Sequence, residues 1–289
     1  GLYCKLITDK KRIEDEENNM RLRDIIGELE TLYHPKIAED WDNVGLLIGD
    51  ENRDINKMLF CLDLTEKAVD EAVEKGVDLI ISHHPAIFSG MKRITTETLQ
   101  GRKVLKLIEN KIAVYSIHTN CDFAANGLND FVFEKLELNG NVEIVNQYEF
   151  DEYNFRKNKI DRIRGGSVRI KTLDHEISLQ VLVEKIKYHL GLDYVRFVGD
   201  KNRKIRRIGL VTGGGSSFMH DIKDIIDVFL TGDLRHHESL DALEEGGLLV
   251  DIGHYESEYL FADLMEREIS RFFDGEMIKY FGEEVFQLG

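Results

Sequence analysis

The sequence predicts an α/β fold made of two related lobes, each a mixed sheet flanked by helices. Short apolar runs typical of buried strands alternate with amphipathic stretches of helical period along most of the chain. The alternation also occurs twice. In each half a strand runs into a His-His pair, a helix follows, and the next strand ends in a histidine with an acid four residues later. We therefore expect two facing lobes with a ligand site in the cleft between them.

The first lobe is expected over residues 20–140, after a polar N-terminal extension, partly disordered, over residues 1–19. A helix of clear apolar period starts near Arg21 and ends before Pro35. KMLFCLDLT predicts a strand, TEKAVDEAVEKG an amphipathic helix capped by Thr65 and stopped at Gly76, and VDLIISHHP a buried strand. QGRKVLKLIENK, KIAVYSIH and NGLNDFVFEKLEL continue as helix, strand and helix.

The second lobe is expected over residues 141–258. Charge-rich strands such as SVRI and a helix near LQVLVEKIKYHLG come first. IRRIGLVTGGGSSFMHDIKDII then predicts a strand, a glycine-rich loop and a helix, and VFLTGD, ESLDALEEG and LLVDIG predict strand, helix and strand. The loop is either an anion-binding turn or a plain one, since it lacks the lysine of a P-loop. Residues 259–289 are expected to form a helix and a strand that pack back on the first lobe.

Composition and charge limit the class of protein. The chain has three cysteines, no apolar run long enough for a membrane span and no signal-peptide pattern, which predicts a cytoplasmic protein. The net charge of −16 argues against general binding of duplex DNA. Residues 156–207 nevertheless carry 15 basic and 6 acidic residues. This basic segment either attracts phosphates or nucleic acid, or forms ion pairs within the protein.

Histidines and acids at strand ends are the candidate functional residues. Imidazole and carboxylate ligands suit divalent metals, and this many donors favour more than one ion. The candidates are His83, His84, His118, Asp122, His254 and Glu258. The second pair, His236 and His237, lies either at the mouth of the same cleft or at a solvated helix start. Trp41, Asp42 and Asn43 either shape the cleft entrance or form a packing motif.

Four motifs in order carry a family resemblance. WDNVGLLIGD, SHHPAIFSGMKRI, HTNCDFAANGLND and GHYESE resemble the Nif-three-like family, also called GTP cyclohydrolase I type 2 homologues. The resemblance implies two α/β lobes, a dinuclear metal site in the cleft and a ring-shaped homo-oligomer, a homohexamer. By motif, the metal ligands are His83, His84, Asp122, His254 and Glu258. His118 is then an additional ligand or a proton-transfer group.

The expected function is that of a dinuclear divalent-metal-binding protein and metal-dependent hydrolase. Its substrate would be a nucleotide or another phosphorylated small molecule, and the two metal ions per chain would be zinc, iron or manganese. His118 is the candidate catalytic residue. Two alternatives remain open at this point: a non-catalytic metal-binding or protein-interaction protein, and a ring-shaped binder of single-stranded nucleic acid lined by the basic segment.

Overall fold

The computed structural model describes residues 20–286, so the extension predicted for residues 1–19 lies outside the described residues. The chain divides into two compact units. The first unit comprises residues 20–118, 152–161 and 265–283, and the second comprises residues 119–151 and 162–264 with the C-terminal residues from 284. The lobe boundaries expected at residues 140/141 and 258/259 stay predictions.

The described chain contains fifteen strands and ten α-helices that alternate for most of its length. The strands are β1 Met20–Arg21, β2 Gly45–Ile48, β3 Asp54–Ile55, β4 Lys57–Cys61, β5 Leu79–Ser82, β6 Ala113–Ser116, β7 Gly140–Val145, β8 Tyr148–Asn154, β9 Lys159–Gly165, β10 Val168–Ser178, β11 Arg196–Val198, β12 Lys204–Leu210, β13 Val228–Thr231, β14 Leu249–Asp251 and β15 Glu276–Tyr280. The helices are α1 Leu22–Leu32, α2 Glu66–Glu74, α3 Leu99–Glu109, α4 Thr119–Phe123, α5 Leu128–Lys135, α6 Leu179–Leu190, α7 Met219–Ile222, α8 His236–Glu244, α9 His254–Glu258 and α10 Phe261–Ile269. Within residues 20–286, no helix is both long enough and apolar enough to span a membrane.

The first unit is built on a five-stranded sheet of order β15-β4-β5-β6-β2. Strands β15, β4, β5 and β6 run parallel, and β2 is antiparallel to β6. Leu59, Ile80 and Val114 from three of these strands pack with Val69 of α2 and Leu107 of α3. Because β4, β5 and β6 are parallel, the residues that follow them emerge at one edge of the sheet.

The second unit is built on a six-stranded sheet of order β11-β14-β13-β12-β10-β7. Strands β12, β13 and β14 run parallel, whereas β11, β10 and β7 pair antiparallel with their neighbours. Val168, Ile170, Phe229 and Leu249 from the sheet pack with Ile222 of α7. The chain segments after β12, β13 and β14 therefore share one sheet edge, as they do in the first unit.

The two units share a topology. In each sheet three parallel strands succeed one another in chain order, and an earlier strand pairs antiparallel with the last of them: β4-β5-β6-β2 and β12-β13-β14-β11. This confirms the predicted α/β class with two related halves of mixed sheet and flanking helices. One detail of the predicted repeat is wrong. Strand β13 ends at Thr231, and His236 and His237 open helix α8 instead of ending a strand, so the two His-His pairs are not equivalent.

The basic segment, residues 156–207, spans both units, and many of its basic side chains form contacts within the unit to which they belong. Arg156 pairs with Glu30 and Glu51 in the first unit. Other pairs and backbone contacts are Lys157 with Glu28, Arg162 with Glu149 and Asp151, Arg169 with Asp130, Lys171 with the Leu138 carbonyl, Arg196 with Asp251, and Arg207 with Glu143. The segment therefore neutralises acidic side chains of the same protein, the second of the two interpretations that the sequence left open.

Candidate metal centre

Three histidines of the first unit lie at the ends of adjacent parallel strands. His83 and His84 directly follow β5, and one residue, Ile117, separates His118 from the end of β6. One ring nitrogen from each of the three lies within 4.8 Å of the others, and their ring centroids are 5.2 to 5.4 Å apart. Such spacing is what several imidazoles around one cation require.

Backbone bonds that continue the sheet beyond β5 position the first pair. The amides of His83 and His84 donate to the carbonyls of Cys61 and Leu62, both at 3.0 Å. Pro85 follows and has no amide hydrogen with which to extend the ladder. The pair is thus held at the last backbone hydrogen bonds of the sheet. This position allows two neighbouring residues of one strand to belong to the same group of predicted ligands.

An oxygen atom engages Nδ1 of each of these imidazoles. Since an oxygen of a carbonyl or an ionised carboxylate can only accept, the hydrogen lies on Nδ1, and in a neutral imidazole the lone pair is then on Nε2. This arrangement is typical of histidines that bind metals, because the oxygen fixes both the tautomer and the ring orientation. The acceptors are the Ile117 carbonyl for His83 (2.9 Å), Asp63 Oδ1 for His84 (2.7 Å) and Asp42 Oδ1 for His118 (2.9 Å).

The second unit repeats this arrangement at His254. Its Nδ1 lies 2.7 Å from Asp233 Oδ2, and its Nε2 lies 3.1 Å from Glu258 Oε2, one turn along helix α9. The Glu258 side chain is only 2% exposed. A carboxylate oxygen and a ring lone pair this close repel each other unless a proton or a cation lies between them. Protonation of His254 or a bound cation would each remove this repulsion.

The glycine-rich loop after β12 leaves room for the Glu258 carboxylate. Gly213 has a φ of +65°, and a Cβ at this position would lie 2.2 Å from Glu258 Oε1. The Gly213 amide donates to Ser257 Oγ at 2.9 Å, which fastens the loop to helix α9. The loop thus brings the backbone close to the side chain of a predicted ligand, a third role besides the anion-binding turn and the plain turn that the sequence left open.

Alanine at position 213 is expected to displace Glu258 and to weaken metal binding. The new Cβ would collide with Oε1, and the positive φ would add about 1 kcal/mol of strain. Gly246→Ala is the matched control, because Gly246 has a φ of +75° but open space around its Cβ position. Stripped of metal, both variants should lose free energy of unfolding, Gly213→Ala the more because its Cβ also displaces Glu258. Only Gly213→Ala should lose metal on dialysis against a chelator. Equal retention of metal in the two variants would show that the loop does not control the carboxylate.

Asp122 lies on helix α4, buried in the second unit. Thr212 Oγ1 donates to Asp122 Oδ1 at 3.2 Å, and the Thr212 amide donates to Asn129 Oδ1 at 2.8 Å. Thr212 directly precedes Gly213, so one loop contacts two of the predicted ligands, Asp122 and Glu258.

Arg169 is completely buried beneath helix α4. Its Nε donates to Asp130 Oδ1 at 2.8 Å, and its two Nη atoms donate to three carbonyls. These acceptors are Gly166 (2.8 Å), Phe123 (3.0 Å) and Ala124 (2.8 Å). Phe123 and Ala124 come directly after Asp122, and carbonyls at a helix end need such donors. Arg169 therefore fixes the end of the short helix that carries a predicted ligand.

In the first unit the structure places three candidates, His83, His84 and His118, after strands β5 and β6. In the second unit it places the other three on short helices, Asp122 on α4 and His254 and Glu258 on α9. Sequence reasoning missed three residues that orient or support them, Asp63, Asp233 and Arg169. It named Asp42 but missed that Asp42 orients His118. A usable signal existed for two of them, since Asp63 and Asp233 each lie two residues beyond the end of a parallel strand. His236 and His237 are exposed, with ring centroids 5.3 Å apart.

Comparison with protein families gives one match over nearly the whole described chain. The model for Duf34/NIF3 (NGG1p interacting factor 3) matches residues 20–283. A GTP cyclohydrolase 1 type 2 homolog of Clostridium perfringens is 38% identical over 241 residues, which cover 83% of this chain and 87% of the relative. A protein of the same name from Clostridium acetobutylicum is 31% identical over 253 residues, 87% of this chain and 90% of the relative.

Solved structures agree with the sequence relatives. The crystal structure of a Staphylococcus aureus hypothetical protein has a TM-score of 0.82 at 30% identity, and the match covers 93% of this chain and 99% of that one. Reduced HcgD from Methanocaldococcus jannaschii has a TM-score of 0.73 at 28% identity, with 90% and 98% of the two chains covered. These likenesses extend over both units of the chain.

Proposed function

The chain belongs to the Duf34/NIF3 family, and from this membership and the ligand geometry we propose that it is a dinuclear metal-dependent hydrolase. Its ligands would be His83 and His84 of the first unit with Asp122, His254 and Glu258 of the second. Its substrate would be a nucleotide or another phosphorylated small molecule, as the names of its relatives suggest.

The observation that carries this proposal is the common environment of the four histidines. Each has Nδ1 on an oxygen acceptor, which leaves Nε2 as the nitrogen for a metal. A buried carboxylate, Glu258, lies beside one of these Nε2 atoms. Neutral imidazoles with carboxylates suit zinc, iron or manganese and do not favour calcium or magnesium, which prefer all-oxygen sites.

Two divalent cations, when bound, would supply an activated water and a Lewis acid for an oxygen of the substrate. His118 is then the residue that moves a proton. Its Nδ1 is held by Asp42, whose side chain is fully buried, so its Nε2 can accept a proton and return it to a leaving group. A carboxylate behind a histidine also stabilises the imidazolium that forms during such a transfer.

Metal content and turnover test the proposal together. Protein purified without chelator or affinity metal should contain about two metal ions per chain by elemental analysis, and should hydrolyse a nucleotide or phosphoester from a panel. His118→Ala should keep the metal and lose turnover. Loss of metal in this variant would make His118 a ligand instead. No metal after reconstitution with zinc, iron and manganese would refute the hydrolase, whereas metal without turnover on any substrate would favour the non-catalytic alternative.

Binding of single-stranded nucleic acid is the less favoured alternative. Such a site needs basic side chains that can reach phosphates. Arg156, Arg162 and Arg207 of the basic segment instead form ion pairs inside their own units. We also propose a ring-shaped homohexamer, from the family resemblance alone, and action in the cytoplasm, from the cysteine count and composition of the sequence.

A further inference from the structure

Two exposed aromatic side chains lie next to the histidines of the first unit. Trp41 is 57% exposed and Phe88 is 61% exposed. Their ring centroids are 6.0 Å apart with the planes inclined by 48°, and the Trp41 ring lies 5.8 Å from the imidazole of His118. Large aromatic rings contribute most to stability when they are buried, so an exposed pair beside a candidate site suggests a role in binding.

Hydrogen bonds link the residues next to Trp41 and Phe88 to each other and to His118. Asp42 Oδ1 accepts from the Asn43 amide at 2.8 Å as well as from His118 Nδ1. Asn43 Nδ2 donates to the carbonyl of Ile87 at 2.5 Å. The residue after Trp41 is therefore bonded to the histidine, and the residue before Phe88 is bonded to the same short segment. The backbone that carries the two rings is therefore restrained by hydrogen bonds, which lowers the conformational entropy lost when a ligand binds.

We propose that Trp41 and Phe88 form a stacking platform for the planar heteroaromatic ring of the substrate, such as a purine base. The inference rests on the proposed function, because it names the part of the substrate that this platform would hold beside His118. A planar ring with polar edges can stack on aromatic faces while its edge atoms meet imidazoles, which an aliphatic ligand cannot do. Each such stacking contact typically contributes about 1–3 kcal/mol.

The chain offers a direct optical readout, because Trp41 is its single tryptophan. Guanosine monophosphate should quench the tryptophan fluorescence saturably, and ribose 5-phosphate, which has the same phosphate without a base, should not. Quenching should persist in chelator-treated protein, since stacking requires no metal. Quenching of equal strength by ribose 5-phosphate, or no saturable quenching by guanosine monophosphate, would overturn the proposal.

Phe88→Leu gives the matched variant, since leucine keeps an apolar side chain and removes the ring. We expect the dissociation constant for guanosine monophosphate to rise about 5- to 150-fold, which corresponds to the usual range for one stacking contact. Trp41→Phe should bind nearly as well as the wild type by equilibrium dialysis, and Trp41→Ala much more weakly. Unchanged affinity in Phe88→Leu would refute the platform.

Two further measurements separate this proposal from the proposed function and from a subunit contact. If quenching occurs but the protein never binds metal, the platform stands and the hydrolase fails; if metal binds without quenching, the platform fails alone. Sedimentation of Trp41→Ala should match that of the wild type. A changed oligomeric state in this variant would assign the two rings to contact with a second copy of the chain and would overturn the proposal.

Discussion

Glu258→Gln is expected to abolish tight metal binding and, at the same time, to stabilise the metal-free protein. The Glu258 carboxylate is buried, with Oε2 3.1 Å from His254 Nε2, so its negative charge carries a desolvation cost that a cation offsets. Glutamine keeps the shape and removes the charge. The wild type should therefore be the more stable protein with metal and the less stable one without it.

Chemical denaturation with and without metal measures this reversal in the relative stability of the wild type and the variant. Metal at a hundred times its dissociation constant should add about 2.7 kcal/mol to the wild-type free energy of unfolding, and almost nothing to that of Glu258→Gln. Glu268→Gln is the control, because Glu268 is also buried but its carboxylate pairs with Arg267 at 3.0 Å and Arg271 at 2.8 Å. This variant should lose stability in both conditions and keep its metal. A Glu258→Gln protein that binds metal as tightly as the wild type would contradict the assignment.

The positions of the candidate ligands could be predicted from the sequence because strand ends are easy to recognise. Buried parallel strands are continuous apolar runs, and the polar residue that ends such a run must lie at the sheet edge. His83 directly after LIIS and His118 after AVYS and Ile117 are examples. The spacing of four between His254 and Glu258 likewise predicted one helix face, and the structure has both residues on α9.

The partners of His84 and His254 were harder to predict, because each lies across a strand-helix-strand crossover. Asp63 and His84 are 21 residues apart, and so are Asp233 and His254. Each acid lies two residues beyond a parallel strand, but nothing in the sequence pairs Asp63 or Asp233 with its histidine. The contact exists only because the two parallel strands that flank the crossover are neighbours in the sheet, which is a property of the topology.

The second His-His pair shows how a local pattern can mislead. His236 and His237 also follow an apolar strand, but residues 232–235 separate them from the end of β13, whereas His83 directly follows β5. Asp233, not a histidine, then occupies the strand end and contacts His254. A doublet of the same residues is therefore weaker evidence of a repeat than the order and direction of the strands.

Arg169→Met is expected to cost more stability than any other single change considered in this protein, about 3–5 kcal/mol. The guanidinium donates to Asp130 and to three carbonyls, and methionine would fill much of its volume without replacing any donor. Buried carbonyls left without donors account for most of this cost, since Asp130 keeps the Asn126 amide as a donor. Arg162→Met is the control, because Arg162 also pairs with two carboxylates, Glu149 and Asp151, but is 59% exposed. It should lose less than about 1 kcal/mol.

Arg169→Lys separates the structural effect of this arginine from its effect on the ligand helix. Lysine keeps the charge and can hold Asp130, but its single ammonium cannot bridge the carbonyls of Gly166, Phe123 and Ala124 together. We expect this variant to fold with a smaller loss of stability and still to bind metal more weakly, because the end of α4, and with it Asp122, is no longer fixed. The metal-free unfolding curve reports the first effect and the dissociation constant for metal reports the second. A folded Arg169→Lys protein with wild-type affinity for metal would show that Arg169 supports the core of the second unit but does not position Asp122.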